Sequence, residues 1–274
     1  MTYLHSIEPI QKVYQTQREP VLVRCDDWRY YVCKHSKNAP CDSLFDEFLA
    51  ARFLAIWGIY SLAPTFISIK EEHLPENLYS GQLQPASLKH TLIGFPFIRD
   101  QKEVTLFESG FVENNSDRKR IVKPEELIQI ALFDLWLGND DRNWNNYNLL
   151  IESRPDGYHF IPIDHETIFN GNSFDYGKTI QTEQDSLIYT PLFESIISKK
   201  LIGSNLLDSK TVEKDFYLCV ANCKIELDKI LEDVPHDWNI SIAAKRELIL
   251  KNIFSSEWLK EVFFTFHLYL KHLQ

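Results

Sequence analysis

The sequence of 274 residues predicts an α+β protein, in which a strand-rich amino-terminal part precedes a larger helical part. The first observation is a pair of β-branched and aromatic runs, Pro20–Arg24 and Arg29–Lys34, on either side of a polar cluster. The second is a helical pattern through the last third of the chain. We therefore divide the chain into residues 1–100 and residues 101–274.

The elements of the amino-terminal part follow from propensity and spacing. The two runs predict a β-hairpin whose turn is a pair of aspartates. Apolar residues at helical spacing then predict a helix over residues 42–58, which Gly58 and Pro64 end. Thr91–Ile98 is predicted to be a short apolar strand.

In the carboxyl-terminal part, a helix that is apolar on nearly all sides begins at Pro124 and stops at Gly138. Such a helix is expected to be buried in the middle of a domain. Further helices are predicted over three segments, Thr211–Glu232, Ser241–Phe254 and Glu257–Leu273.

Charge and composition restrict the partners of the protein. Lys and Arg number 29 against 39 Asp and Glu, which gives a net charge of −10 and disfavours binding to nucleic acid or to an anionic membrane. The amino terminus has no signal pattern, and no stretch of 18 apolar residues occurs. The five cysteines include no C-x-x-C pair. We expect a cytoplasmic protein that contacts neither membrane nor nucleic acid directly.

The nine glycines exclude several common enzyme classes, because none of them forms a G-x-G pair. The chain therefore lacks the dinucleotide-binding fingerprint, the P-loop, the G-x-S-x-G elbow and the usual glycine-rich kinase loop. The zinc motif H-E-x-x-H is absent as well.

The segment Gly138–Asn148 is the most unusual in the chain, with two carboxylates, an arginine and five carboxamides in eleven residues. A hairpin pattern follows, with Pro155-Asp156-Gly157 as its turn and Asp164 at its end. Four residues separate Asp141 from Asn146, and a hairpin then leads to Asp164. This spacing matches the pattern of base and metal ligands in kinase-like phosphotransferases. The alternative is a loop that only caps a helix and forms side-chain turns.

The turn of this hairpin predicts how its strands pair. Pro-Asp-Gly fits a three-residue loop with a bulge, in which Arg154 pairs with Tyr158. Asp164 then faces Asn148, and Asn146 lies further along the same face. A shift of one residue would move these side chains to opposite faces.

Lys34 ends an apolar strand, and Glu47 lies on the helix that follows. Kinase-like enzymes use a strand lysine to hold nucleotide phosphates and a helix glutamate to hold that lysine. A lysine at a strand end is usually solvated, so the order of these two residues with Asp141, Asn146 and Asp164 is what favours the functional interpretation.

Most of the chain resembles the HipA-like kinase family. The matching segments are VLVRCDDWRYYVCKH, FDEFLAARFLAIWGIYSLAP, LFDLWLGNDDRNWNNYNLLI and IPIDHETIF. The resemblance implies a two-lobed protein-kinase-like fold, with a small strand-rich N-lobe (1–100) and a larger helical C-lobe (101–274). It also implies ATP and Mg²⁺ as cofactors and phosphoryl transfer to Ser or Thr of an unidentified protein substrate.

By position, the resemblance assigns Lys34 and Glu47 to the ion pair of the active site. Asp141 corresponds to the catalytic aspartate, and Asn146 and Asp164 correspond to the metal ligands.

We expect Lys34, Phe97 and Ile98 to bind the nucleotide. The sequence departs from the family at two places. Thr16–Glu19 stands where a stretch rich in glycine and serine is common, and Asn143 stands where a histidine is usual.

Two other functions stay open. A kinase-shaped binding module with little catalysis would bind ATP without transferring phosphate, as the lack of glycines suggests. A metal-dependent nuclease or phosphohydrolase would use Asp140, Asp141, Asp164 and His165, and would cleave its substrate without a nucleotide.

Overall fold

The contacts of the chain divide it into two compact units. The computed structural model describes residues 1–37, 40–74, 83–99, 101–104, 115–172, 179–197 and 209–272. Unit 1 consists of Met1–Arg52, Leu62–Arg99 and Asp228–Lys245, and unit 2 consists of Phe53–Ser61, Asp100–Leu227 and Arg246–Gln274.

Unit 1 contains a sheet that has six strands among the residues described. These are β1 (Tyr3–His5), β2 (Lys12–Val13), β3 (Val21–Arg24), β4 (Tyr30–Lys34), β5 (Thr65–Ser68) and β6 (Leu92–Pro96). The sheet order is β1-β5-β6-β4-β3-β2, in which β1 and β5 are parallel and the other neighbours antiparallel. The predicted hairpin is confirmed as β3 and β4, with Val21 opposite Cys33.

Alternate side chains of this hairpin enter an apolar core, because successive strand residues point to opposite faces of a sheet. Val21 and Val23 of β3 and Tyr31 and Cys33 of β4 are buried in it. One face of the hairpin therefore packs against the core.

The chain contains several helices, which make up most of residues 209–272, as predicted. They are α1 (Asp42–Trp57), α2 (Asn115–Arg118), α3 (Glu126–Leu137), α4 (Pro191–Ile196), α5 (Ser209–Glu232), α6 (Ile242–Asn252) and α7 (Ser256–Lys271). Short 3₁₀ turns occupy Glu71–His73, Pro85–Leu88, Glu183–Asp185, Leu187–Tyr189 and His236–Trp238. Where the helices are described, none has both the length and the apolar character to cross a membrane.

Helix α3 is the centre of unit 2, since eleven of its twelve residues are buried. Trp136 of this helix stacks on Trp57, with 5.4 Å between ring centroids. Its indole nitrogen donates to the Ile253 carbonyl, and the indole nitrogen of Trp258 donates to the Trp136 carbonyl. These bonds satisfy polar groups that would be costly to bury unpaired, and they fix α3 against the carboxyl-terminal helices.

Unit 2 also contains a sheet of β7 (Gln101–Glu103), β8 (Leu149–Arg154) and β9 (Gly157–Pro162), all antiparallel. The predicted hairpin is therefore present, but its predicted pairing is wrong by one residue. Arg154 pairs with Gly157 rather than with Tyr158, so the loop has two residues, Pro155 and Asp156.

Candidate active site

The candidate loop of unit 2 begins where α3 ends, at Gly138. This glycine has φ 63° and ψ 44°, the left-handed conformation that glycine adopts without strain. A Cβ atom there would lie 3.2 Å from the Asn170 side chain. The Asn139 amide then bonds to the Asp134 carbonyl at 2.9 Å. The helix end therefore leads directly into the Asn- and Asp-rich segment, as the sequence predicts.

Arg142 organises this loop from inside, since its side chain is fully buried. Nε donates to Asp134 Oδ2 at 2.8 Å. One terminal nitrogen donates to the Tyr147 carbonyl at 3.2 Å and to the Asn148 carbonyl, and the other donates to the Ile163 carbonyl at 3.2 Å. A single guanidinium thus connects α3, the end of the loop and the segment after β9.

Asp134 is the counter-charge of Arg142. Its other oxygen accepts a 2.8 Å bond from Asn139 Nδ2. Burial raises the pKa of the Asp134 carboxyl, while the Arg142 guanidinium and the two hydrogen bonds act in the opposite direction. The charge of Asp134 is therefore compensated only while Arg142 and Asn139 stay in place.

His165 completes the buried network, with Nε2 3.0 Å from Arg142. A guanidinium has only donors, so Nε2 must act as the acceptor and cannot also bind a metal ion through the same lone pair. This contact argues against the nuclease-like interpretation, in which His165 would be a metal ligand.

Asn143 closes a tight turn within the loop. Its backbone exchanges hydrogen bonds with Asn146 at 2.9 and 3.1 Å, and its side chain bonds to the Asp140 carbonyl and the Asn145 amide. The residue that replaces the usual histidine is therefore a turn-forming residue in this chain.

Burial raises the pKa of the Asp140 carboxyl, and the carboxylates of Asp185 and Asp141 raise it further.

Asp141 receives the side chains of two asparagines. Its Oδ2 accepts 3.0 Å hydrogen bonds from Nδ2 of Asn146 and from Nδ2 of Asn148. A carboxylate only accepts, so both amide nitrogens must face Asp141 and both amide oxygens point elsewhere. The predicted pair of Asp141 and Asn146 is therefore in direct contact, and Asn148 is a third member of the cluster.

Asp164 lies beyond the end of β9 and has φ 59°, and Asn148 has φ 45°. Because neither residue is extended, strand alternation cannot assign their faces, and Ile163 rather than Asp164 bonds to the Asn148 carbonyl. The predicted pairing of Asp164 with Asn148 is therefore wrong. Asp164 instead places a carboxylate oxygen within 4.8 Å of one from Glu166, which is 8% exposed.

This part of unit 2 contains side chains with the oxygen donors that a hard cation prefers. Asp164 and Glu166 offer carboxylate oxygens, and Asn146 offers the amide oxygen that its contact with Asp141 leaves over. Mg²⁺ takes oxygen ligands, commonly one or two carboxylates with water. The residues present are therefore of the right type for Mg²⁺.

In unit 1, Lys34 at the end of β4 forms an ion pair with Glu47 of α1. Glu47 is 2% exposed and Lys34 Nζ donates to its Oε1, so the lysine head is held inside rather than solvated. The pairing expected from the sequence is confirmed, while the role of the pair in binding phosphate stays a proposal.

Phe97 and Ile98 follow β6 and are partly buried. The Phe97 amide bonds to the Tyr30 carbonyl at 2.8 Å, so Phe97 lies at the end of β4 opposite to Lys34. Four residues of strand place the two ends about 13 Å apart. Lys34 therefore lies too far from Phe97 and Ile98 to contact the same chemical group of a ligand. These residues can contact opposite ends of an extended ligand.

Sequence reasoning missed Asp134, Arg142 and Glu166 as parts of the site. One signal was available, because Asp134 is the charged residue in the otherwise apolar run 130–137 of α3. A buried charge requires a partner, and Arg142 is the arginine of the segment that follows.

Comparison with known proteins finds one matching family and several solved structures of similar fold. A profile for HipA-like kinases matches residues 7–262. The Helicobacter pylori proinflammatory kinase CtkA is similar in structure, with a TM-score of 0.53 and 12% identity over 99% of this chain and 100% of that chain. This likeness shows a kinase-like α+β fold, so the predicted fold class is confirmed. No curated protein sequence matches the chain.

Two more solved structures resemble the chain less well. HipA of Shewanella oneidensis MR-1, from its complex with HipB and operator DNA, has a TM-score of 0.46 and 12% identity, covering 85% of this chain and 60% of that chain. The golgi casein kinase has a TM-score of 0.47 and 11% identity, covering 97% of this chain and 74% of that chain.

Proposed function

The chain belongs to the HipA-like kinase family, and on that premise we propose that it transfers the γ-phosphoryl group of ATP to a Ser or Thr hydroxyl of a protein, using Mg²⁺. The observation that carries the proposal is the loop in which one oxygen of Asp141 accepts hydrogen bonds from both Asn146 and Asn148. Catalysis of phosphoryl transfer consists mainly of positioning and electrostatic stabilisation, and this loop holds its carboxylate in one place.

Asp141 is the residue that we propose to accept the proton of the substrate hydroxyl group. Among the residues described, its hydrogen bonds go to Oδ2, which leaves Oδ1 for a hydroxyl proton. The hydroxyl oxygen attacks the γ-phosphorus, its proton passes to Asp141, and the bond to the bridging oxygen of ADP breaks. Arg142 supports this step indirectly, because it holds both ends of the loop.

The nucleotide is assigned to residues 1–100. Lys34 contributes a positive charge for the phosphates, and Glu47 keeps that charge oriented. Phe97 and Ile98 are the proposed contacts for the base, because they lie at the other end of the β4–β6 pair from Lys34.

Residues 101–274 provide the catalytic and metal-binding groups in this proposal. Asn146 and Asp164 would hold Mg²⁺, with Glu166 as a further oxygen donor. When bound, the ion neutralises charge on the phosphate oxygens.

The proposal is tested with purified protein, a cell lysate and [γ-³²P]ATP, with and without Mg²⁺. We expect labelled protein bands that require both the kinase and Mg²⁺, with label on Ser or Thr after acid hydrolysis. No transfer under any condition, with ATP binding shown by calorimetry, would contradict the proposed activity.

That outcome would favour the second candidate function, a nucleotide-binding module with little catalysis. The observation behind it is Thr16–Glu19, a loop without glycine where phosphate-binding amides are expected. Backbone amides approach a phosphate most closely where glycines leave room.

We expect Asp164→Asn to weaken Mg²⁺–ATP binding by about tenfold or more and to leave metal-free ATP binding nearly unchanged. The substitution removes one charge, and asparagine tolerates the positive φ of this position. Calorimetric titration of ATP with and without Mg²⁺ measures both affinities.

The matched control is Asp156→Asn, which neutralises an exposed carboxylate in the β8–β9 turn. We expect its Mg²⁺ dependence to equal that of the unmodified protein. If Asp164→Asn also keeps a normal Mg²⁺ dependence, Asp164 is only a strand-end residue and the metal assignment is wrong.

A further inference from the structure

The loop between β2 and β3 contains a strained glutamate where a glycine would fit without strain. Glu19 has φ 48°, in the left-handed region that few residues other than glycine adopt, and it is 7% exposed. The preceding residues Gln15–Arg18 are exposed. The loop therefore combines an exposed tip with a buried, strained end.

Hydrogen bonds at its carboxylate, its carbonyl and its amide hold Glu19 in this conformation. Its carboxylate oxygen Oε2 accepts from the Leu83 amide at 2.6 Å, and its carbonyl accepts from His35 Nε2 at 3.1 Å. Its amide donates to the Thr16 carbonyl at 3.2 Å. The side chain thus attaches the loop to a distant segment, which a glycine could not do.

The loop lies beside the proposed phosphate-binding lysine. Val21 of β3 pairs with Cys33 of β4, so the residues before Val21 run alongside Lys34 and His35. The bond from His35 to the Glu19 carbonyl confirms this neighbourhood. A phosphate held by Lys34 would therefore meet the exposed residues of the same loop.

We propose that Glu19 is a positioning residue for the nucleotide, which fixes the loop Gln15–Glu19 in a phosphate-binding shape by anchoring it to Leu83. The inference rests on the proposed ATP-dependent function. A flexible glycine-rich loop loses conformational freedom when it closes on a phosphate. An anchored loop has already lost that freedom before the phosphate binds. The carboxylate is directed to the Leu83 amide, so its charge is partly compensated there.

The test compares Glu19→Gly with Glu19→Gln. Glycine relieves the strain but removes the anchor, whereas glutamine keeps an oxygen that can accept from the Leu83 amide. We expect Glu19→Gly to bind Mg²⁺ with the non-hydrolysable analogue AMP-PNP about tenfold more weakly in calorimetry. Its KM for ATP should rise by a similar factor with kcat changed less than about threefold, and Glu19→Gln should stay within about threefold of the unmodified protein.

Asn239→Gly is the matched control, because Asn239 also has a left-handed φ, of 52°, in unit 1 but outside the loop. It should leave AMP-PNP affinity unchanged. Hydrogen exchange at the Leu83 amide reports the anchor directly, and we expect faster exchange in Glu19→Gly but not in Glu19→Gln.

The outcomes separate the two proposals. If the unmodified protein binds no AMP-PNP, the proposed function fails and the role of Glu19 fails with it. If the unmodified protein binds AMP-PNP and Glu19→Gly binds it equally well, the role of Glu19 alone is overturned. A kcat that falls while KM is constant would also overturn it, since Glu19 would then act on the chemical step.

Discussion

Replacing Asp141 by asparagine should reduce phosphoryl transfer by about 10²–10⁴-fold, while ATP affinity changes by less than about tenfold. A group that accepts or orients the proton of the acceptor acts mainly in the transition state, so its loss appears in the rate. Steady-state transfer from [γ-³²P]ATP and calorimetric binding of AMP-PNP measure the two quantities separately.

Asparagine is a suitable replacement because it preserves the local hydrogen bonds. Its Oδ1 can accept from Asn146 and Asn148 as Asp141 Oδ2 does, while the charge and the ability to take a proton are lost. Asp141→Ala removes the acceptor as well and should lose at least as much activity.

Asp140→Asn is the control, because it removes the same charge from the adjacent position. Asp140 contacts the turn through its carbonyl, which the substitution keeps. We expect its turnover to stay within about tenfold of the unmodified protein. Equal losses in Asp140→Asn and Asp141→Asn would indicate a general effect of charge, and unchanged turnover in Asp141→Asn would remove this residue from the mechanism.

Local patterns predicted the elements that carry the site. The apolar helix, its end at Gly138 and the polar segment beyond it follow from spacing and from the left-handed preference of glycine. The pairing of Lys34 with Glu47 followed from the order of a strand and a helix, together with a known functional pattern. Each of these features depends on residues that are close in sequence.

The register of the β8–β9 hairpin could not be predicted in this way. Pro155-Asp156-Gly157 is compatible with a loop of two or three residues. The structure brings a distant segment to this turn, since the Tyr158 amide bonds to the Arg120 carbonyl at 2.7 Å. A Cβ atom at Gly157 would lie 2.1 Å from that carbonyl, so glycine is required there for close approach. The observed pairing therefore coincides with a tertiary contact that the turn sequence alone does not predict.

The left-handed conformations of Asn148 and Asp164 could not be predicted from the sequence either. Asparagine and aspartate tolerate a positive φ but adopt it only where the surroundings require it. Both lie at the site, one bonded to Asp141 and the other beside Glu166. Strained residues concentrate at functional sites, and strand alternation fails at such positions.

We expect Arg142→Met to destabilise the protein by about 3–5 kcal/mol, the largest stability effect that the site predicts. The substitution leaves the Asp134 carboxylate buried without its counter-charge. It also removes the donor to the carbonyls of Tyr147, Asn148 and Ile163. Urea unfolding followed by circular dichroism measures the free energy of unfolding.

Lys245→Met is the control for the loss of a cation, since Lys245 forms a partly exposed ion pair with Asp42. Breaking that pair should cost less than about 1 kcal/mol. Arg142→Lys keeps the charge but loses the planar fork of donors, so we expect an intermediate loss of stability.

A double-mutant cycle separates the ion pair from the carbonyl contacts of Arg142. Asp134→Leu combined with Arg142→Met removes both buried charges, so it should be more stable than the sum of the two single substitutions predicts. The carbonyls stay without their donor, so stability should not return fully, and transfer should remain low because the loop that holds Asp141 is no longer fixed at both ends. Additive losses would show that Asp134 and Arg142 do not act as a pair. Full activity in the double variant would show that the loop keeps its shape without Arg142.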